Sequence, residues 1–431
     1  MSITARCWPT VAAAAVFLCP MVGARPVQKQ PPPAPVKTLP YMRAADEPGR
    51  TIALEVATRT FVPAGGVKGP TVSLVGVAHI GERTLYSQLQ DLLDKQDVVL
   101  YESVMPAGAR GAGGDTDATR VASTQAVMRF TAGVLRLHHA RDGRYPADLN
   151  ELAAFAERRD ARLGQWLQTA HTDAWGGVIR YVVDGGGLHF VLTSLGADRL
   201  PGGAGADADL KVTNDTPLAA GFLEADEDNL QAELAKALGL EFQLDRIDYD
   251  RPNFRCSDMS MDQLQRALEA EGLDMTPLEG SLAASSLPGR ITVFILRIVR
   301  TLDIFFDGMI ADALKVMLIE LLGDEAFLEQ SLRQFGEGFA RVLIEQRNQV
   351  VLDDLKVIVE NEQDVRSLAI FYGAAHMPDM AQRLMGQLGY RPEGEQWFTA
   401  FEVDLTETAM SPQQLQNLRL MMRRQLRLMS R

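Results

Sequence analysis

Between Val72 and Ser103 the chain changes hydrophobic period twice. "TVSLVGVA" is a short apolar run, "GERTLYSQLQDLLDK" places apolar residues at helical spacing, and "DVVLYES" is a second apolar run. Strand, helix and strand within about thirty residues form a βαβ unit, which requires a parallel sheet. A glycine-rich break, "PAGARGAGGDTD", interrupts this order. Helical spacing follows in "STQAVMRFTAGVLRLHHA" and "RDGRYPADLNELAAFAE", then turn-rich strands in "DAWGGVIRYVVDGGGLHFVLTSLGAD", then the loop "RLPGGAGADADL". The composition shifts at both ends mark about 118–212 as a module inserted into the first domain.

From about 222 the helical pattern returns. "SMDQLQRALEAEG" opens on a Ser-x-x-Gln capping box at Ser260 and Gln263 and stops at Gly272. The stretch 291–323 is very apolar, but Arg297, Arg300, Asp303, Asp307, Asp312 and Lys315 punctuate it, so it reads as buried amphipathic helices and not as a bilayer span. A helix over "ARVLIEQRNQVVLDDLKVIVEN", a buried strand "SLAIFYGA", a helix "PDMAQRLMGQLGY" and a last strand "WFTAFEVDL" complete the second part, and a basic helix covers 406–431.

The N-terminus changes the picture of where the protein works. Arg6, the uncharged stretch Cys7–Ala24 and the small residues closing "MVGA" form a secretory signal peptide over 1–24, followed by a proline-rich extended linker over 25–50. A periplasmic or secreted protein is expected, with no transmembrane helix in the mature chain. Lipid anchoring through Cys19 is disfavoured, because Leu18 stands where a small residue should precede the cysteine. Cleavage after Ala24 leaves Cys256 as the only cysteine, a packed side chain. The formal charge of −13 argues against nucleic-acid binding.

Only six histidines occur, and two share a setting: "LVGVAHIG" and "IFYGAAHMP" each place Gly-x-x-His after an apolar strand, at His79 and His376. Glu102 follows the strand of "DVVLYES". Ligands of open parallel sheets bind beyond the carboxyl ends of the strands, so these three residues can converge. Gly76 and Gly373 permit a tight strand exit. Two imidazoles and a carboxylate suit zinc, manganese, cobalt or iron with positions left for water and substrate; packed or surface histidines explain the same pattern. Glu82 and Asp379 fit surface or helix N-terminal acids. On spacing alone Arg347 and Asn348 lie on a solvated helix face.

The elements "LVGVAHIG", "DVVLYESV", "LAKALGLEFQ", "FRCSDMSMDQL", "LIEQRNQVVLDDL" and "FYGAAHMPDMAQRLMGQLGY", over about 70–107 and 222–404, together resemble the TraB family, which includes TIKI-type proteases, PrgY and GumN-like proteins. The resemblance implies that His79 and His376 bind a divalent metal (Mn, Co or Zn), and that Glu102 is a third ligand or general base. It also implies that Arg347 and Asn348 face the site and polarise or orient a substrate carbonyl. A metal-dependent hydrolase acting on a peptide, amide or ester bond follows, since a bound metal lowers the pKa of water. The wider superfamily includes haem-binding lipoproteins, so a non-enzymatic peptide- or haem-binding protein is the alternative.

In the module, Asp198, Asp207 and Asp209 with the carbonyl of Leu195 offer hard oxygen ligands on a glycine-rich loop, suited to calcium or simply to solvent. "RDGRYPADLNEL", "TDAWGGVIRYVVDGGGLHFVLTSLGAD" and "GGAGADADL" resemble the C-terminal domain of the major pseudopilin of type II secretion, the GspG family, over about 125–211. That resemblance implies a helix on a small antiparallel sheet with calcium held by the three aspartates. A pilin-type methylation motif and assembly helix are absent from the sequence, so a substrate- or partner-binding module fits better than a filament subunit. His138, His139, His171 and His189 need no catalytic role. The expectation is an α/β chain, α+β overall. A mainly parallel TraB-type core spans 51–117 and 213–405, interrupted by a small α+β module. Its expected partners are a peptide or protein substrate and secretion-system or envelope proteins.

Overall fold

The computed structural model describes residues 39–218, 235–236, 238–273, 309–324, 337–408 and 410–429. The signal peptide, most of the linker and the first part of the apolar stretch, 291–308, lie outside the described residues. The protein is a mixed α/β structure. Among the described residues no helix is long and apolar enough to cross a membrane.

Seven strands form the main sheet: β1 (Met42–Glu47), β2 (Thr51–Pro63), β3 (Thr71–Val77), β5 (Val98–Tyr101), β10 (Phe254–Cys256), β11 (Ser367–Gly373) and β12 (Tyr390–Asp404). Their order is β1-β2-β3-β11-β5-β10, with β12 also on β2, and a separate antiparallel pair is formed by β4 (Ile80–Gly81) and β9 (Glu241–Phe242). The inner strands β3, β11, β5 and β10 run parallel, while β1, β2 and β12 add an antiparallel flank. The expected βαβ unit is present, but β3 and β5 are not neighbours. β11 enters between them from the far end of the sequence.

That placement follows from what β11 must bury. Along "SLAIFYG" every residue after Ser367 is buried, which only a central strand covered on both faces achieves. Its side chains alternate between two cores. Ala369 and Phe371 join Val75, Val77 and helix residues Leu85, Leu89 and Leu93 on one face. Leu368 and Ile370 join Val72, Leu74, Leu352, Leu355, Met380 and Leu384 on the other. Helix Arg83–Leu93 therefore covers one face, and helices Arg347–Asn361 and Met377–Leu388 the other. Each fully buried leucine contributes roughly 1.5–3 kcal/mol of apolar burial.

Two differences from the sequence reading concern the flank. The stretch expected to be linker up to residue 50 ends in a strand, β1, paired with β2 from Met42 opposite Val56 to Glu47 opposite Thr51. β12 begins at Tyr390, seven residues before the expected "WFTAFEVDL". Its first half is exposed and polar, and register shifts fall at Pro392/Gly394 and Thr399/Phe401, so hydrophobic alternation does not reveal it.

The module has its own core. Phe130, Val134 and Leu135 of helix Asp117–Asp142 pack with Phe155, Phe190, Leu192 and Val212. The antiparallel sheet β6 (Arg180–Val183), β7 (Phe190–Ser194) and β8 (Leu210–Thr213) lies within this core. Side-chain caps start its helices. Asp148 accepts from the N–H of Asn150 and Glu151 at 2.9 and 2.8 Å, and Asp160 from that of Arg162 at 2.8 Å. In the core, the expected box at Ser260 appears as the Ser260 N–H donating to Gln263 Oε1 at 3.0 Å, ahead of helix Met261–Ala270.

Candidate functional site

The four parallel strands each deliver a polar side chain just past their carboxyl ends. His79 comes two residues after β3, Glu102 directly after β5, His376 three after β11, and Asp258 two after β10. Arg347 connects three of them. Its Nε donates to Asp258 Oδ1 at 2.9 Å and its Nη2 to Asp258 Oδ2 at 2.6 Å, a two-pronged pairing. The same Nη2 donates to Glu102 Oε1 at 2.8 Å, and Nη1 lies 3.5 Å from His376 Nε2. His376 Nε2 is in turn 3.5 Å from Glu102 Oε1.

Gly373 lets these groups meet. Its N–H donates to Glu102 Oε2 at 2.8 Å, and a Cβ there would stand 3.3 Å from that oxygen and 3.5 Å from His79 Nε2. Arg347 and Asn348, one after the other, are buried, not on a solvated face. A π-helical turn, Arg341–Gln346, immediately precedes them, a local widening of the kind that recurs at functional sites.

Both imidazoles are fixed from behind. Asn348 Nδ2 donates to the His376 carbonyl at 3.0 Å and to Asp379 Oδ2 at 2.8 Å, so its Oδ1, 2.7 Å from His376 Nδ1, must accept the ring proton. Gln243 Nε2 donates to the Tyr249 hydroxyl at 2.8 Å, so its Oε1 accepts from His79 Nδ1 at 2.9 Å. With Nδ1 held in this way, each ring turns Nε2 to the site, that of His376 toward Arg347 Nη1 and Glu102 Oε1. Asp379, held also by Arg383 Nε at 2.7 Å, braces Asn348 from the first turn of its helix. Glu82 is remote in function: its carboxylate accepts from the N–H of Glu402 at 3.0 Å and ties that loop to β12.

Electrostatics follow from burial. Burial opposes the charged form of Glu102, yet His376, Arg347 and His79 together with the Gly373 N–H hold its carboxyl well below the usual range. Burial pushes the His376 imidazole down to about 4 against the pull of Glu102, so it is neutral at pH 7. Two carboxylates, Glu102 and Asp258, then face one guanidinium. Arg347 and Asp258 are buried, while Glu102 is half-buried.

As metal donors, the residues are right in kind: two Nε2 lone pairs and a carboxylate. As placed, Glu102 is engaged by Arg347 and Gly373. Among the described residues no three His, Cys, Asp or Glu side chains are grouped to hold a metal ion. The same holds for Asp198, Asp207 and Asp209. Asp198 accepts from the Leu200 N–H at 2.9 Å and Asp209 from the Gly202 N–H at 3.1 Å. Their loop follows Leu195 and depends on Gly203, where φ is +80° and a Cβ would lie 2.3 Å from the Asp207 carbonyl.

Sequence reasoning missed Asp258, Gln243 and Tyr249. Asp258 is 0% exposed and stands two residues past its strand, as His79 does, but a three-residue strand gives little hydrophobic signal. Cys256 is a packed thiol: burial pushes its pKa up to about 12, and it faces the Ser103 carbonyl at 3.3 Å. His138 is 1% exposed and bonded through Nδ1 to the Arg144 carbonyl at 3.0 Å, a core role.

Known proteins resemble one part of this chain. Residues 113–213 match the family described as type II secretion system (T2SS), protein G. The type II secretion system core protein G of Xanthomonas campestris pv. campestris is 32% identical over 117 residues, which make up 26% of this chain and 80% of that protein. No solved structure matches the chain. The expected resemblance of the module to the GspG pseudopilin is thus borne out, and the buried histidine cluster lies outside the matched residues. Through residues 113–213 the chain belongs to the type II secretion system protein G family.

Proposed function

We propose that this chain is an envelope-located hydrolase of the TraB/TIKI type that cuts a peptide bond, or a related amide or ester. In this reading its protein G-like domain, inserted at about 118–212 between core segments 51–117 and 213–405, brings it to a protein substrate or to type II secretion components. The observation that carries this is the cluster at the ends of four parallel strands, where Glu102 and the buried Asp258 both pair with the buried Arg347 beside His376. Taking such charges out of water costs several kcal/mol per ion before pairing, an outlay that folding alone does not require. The residues singled out by the TraB resemblance, His79, Glu102, Arg347, Asn348 and His376, all belong to it or brace it.

His79, His376 and Glu102 would hold a divalent Mn, Co or Zn ion, whose chemistry is to lower the pKa of water and supply hydroxide. Asn348 and Gln243 keep both Nε2 lone pairs available. Arg347, anchored by Asp258, presents fixed positive charge toward a substrate carbonyl. Calcium is assigned to the loop of Asp198, Asp207, Asp209 and the Leu195 carbonyl, where it would stiffen the domain. Export through the signal peptide at 1–24 gives a periplasmic or secreted location.

Elemental analysis of purified protein tests the reading, with His79→Ala and His376→Ala beside the wild type. The expected outcome is about one transition-metal ion per chain in the wild type, lost in both variants. Calcium is expected to be retained in both and lost in Asp207→Asn. Wild-type protein without a transition metal, or with a haem absorption band, supports the non-enzymatic haem- or peptide-binding alternative.

A further inference from the structure

The small sheet of the protein G-like domain buries only one of its faces. Ile179, Tyr181 and Val183 in and just ahead of β6 turn into the domain core, as do Phe190 and Leu192 of β7 and Leu210 and Val212 of β8. Their alternate neighbours share the opposite face. The pairing register sets that face out in rows. Val182 stands opposite Val191 and Val191 opposite Thr213; Arg180 stands opposite Thr193 and Thr193 opposite Lys211.

The wet face of an antiparallel sheet normally carries polar side chains. Here Val178 is 71% exposed, Val182 65% and Val191 36%. Directly opposed side chains lie about 5 Å apart, so Val182 and Val191 form one apolar strip. Arg180 and Lys211, in the next row, are both exposed, and neither forms a hydrogen bond or ion pair among the described residues. β6, β7 and β8 contain no acidic residue, so these two cations have no counter-charge within the sheet, on a chain of net charge −13. Two strand spacings set their backbones about 10 Å apart.

We propose that this open sheet face binds an acidic, extended protein segment that carries an apolar side chain between two carboxylates. The carboxylates pair with Arg180 and Lys211, and the apolar side chain covers Val182 and Val191. This rests on the reading of the domain as a binding module and not on the metal centre. An anionic membrane fits the face less well, because juxtamembrane binding relies on clusters of about four to eight cations. A second copy of the chain would bring its own excess of negative charge.

Calorimetric titration of the full chain with hexapeptides blocked at both ends tests this. Glu-Glu-Val-Val-Glu-Glu, when extended, presents a carboxylate, an apolar side chain and a carboxylate on either face. Gln-Gln-Val-Val-Gln-Gln and Lys-Lys-Val-Val-Lys-Lys are its controls. The acidic peptide binds, more weakly as salt rises, and the controls do not. Arg180→Gln and Lys211→Gln each weaken binding about threefold and together about tenfold, the scale of two exposed ion pairs. Val182→Thr, which keeps the branched shape, weakens it about twofold. Circular dichroism confirms that the variants fold. Failure of the acidic peptide to bind at about 1 mM overturns the proposal, as does equal binding of the glutamine peptide or unchanged binding in the folded Arg180→Gln/Lys211→Gln variant. Co-sedimentation with phosphatidylglycerol-containing vesicles, or a dimer in ultracentrifugation, overturns it too if the double variant abolishes either. Wild-type protein that binds the peptide but holds no transition metal counts against the hydrolase alone and leaves this proposal standing.

Discussion

Asp258 gives both of its oxygens to Arg347, and Met259 donates its N–H to the same carboxylate at 2.7 Å. With this support the guanidinium is fixed against Glu102 and His376 instead of sampling rotamers. Asp258→Asn breaks the two-pronged pairing and leaves Arg347 with Glu102 alone, and urea unfolding is expected to show a loss of about 3–5 kcal/mol. Arg347→Met is expected to cost less on top of Asp258→Asn than it costs in the wild type, because the pairing is already broken. If the two losses simply add in the double variant, the pair is not coupled as described. At this scale His79, Glu102 and His376 were legible in the sequence, since each follows an apolar run long enough to be read as a strand. Arg347 and Asn348 were legible only through the family resemblance, because a helix pattern does not distinguish a polar residue facing solvent from one facing a buried site. Asp258 was hidden by the brevity of β10.

Between elements, a single side chain sets the register at which β5 and β11 start. Asp97, just ahead of β5, accepts from the N–H of Arg366 at 2.7 Å and of Ser367 at 2.9 Å at the start of β11. Those two N–H groups, Arg366 first, lower its pKa below the usual carboxylate value. A carboxyl whose folded pKa lies below its unfolded value stabilises the protein fully above the unfolded pKa, about 3.9, and loses that contribution as pH falls through the folded one. Asp97→Asn is therefore expected to melt below the wild type at pH 7, with the gap closing as pH drops below about 4. A gap of constant size across that range would show that the carboxylate charge is not what matters. β3, β5, β11 and most helices were readable from periodicity, whereas the three-residue β10 was not. β1 and the first half of β12 were not, because their stability comes from pairing along β2 and not from an apolar face of their own.

For the whole molecule, the decisive feature is that the residues related to protein G have a separate hydrophobic core. Its buried members run from Met105 to Val212, and among the described residues of the later chain only Leu218 and Cys256 pack against it as partly buried neighbours. A fragment spanning 104–216 is expected to fold alone, with helical circular dichroism and a cooperative thermal transition; a flat, non-cooperative melt would show that the domain depends on the surrounding core. Composition shifts and turn signals made this domain visible in the sequence. The way the remaining chain closes around it was less visible, because the contacts that complete the sheet join residues almost three hundred positions apart.

β11 has a bearing on the life of the chain before it is complete. A ribosome makes β3 and β5 early and the strand that belongs between them more than 260 residues later. Until residue 373 is available, β3 and β5 have no partner between them, and Glu102 lacks both the Gly373 N–H and the neighbouring imidazole of His376. Such non-local pairing is slow, and its unpaired edges invite aggregation. A product truncated ahead of Ser367 is thus not a smaller version of this protein but an open-edged intermediate with no assembled centre, a substrate for chaperones and quality-control proteases. The arrangement ensures that the cluster of His79, Glu102 and His376 assembles only after β11 has been made.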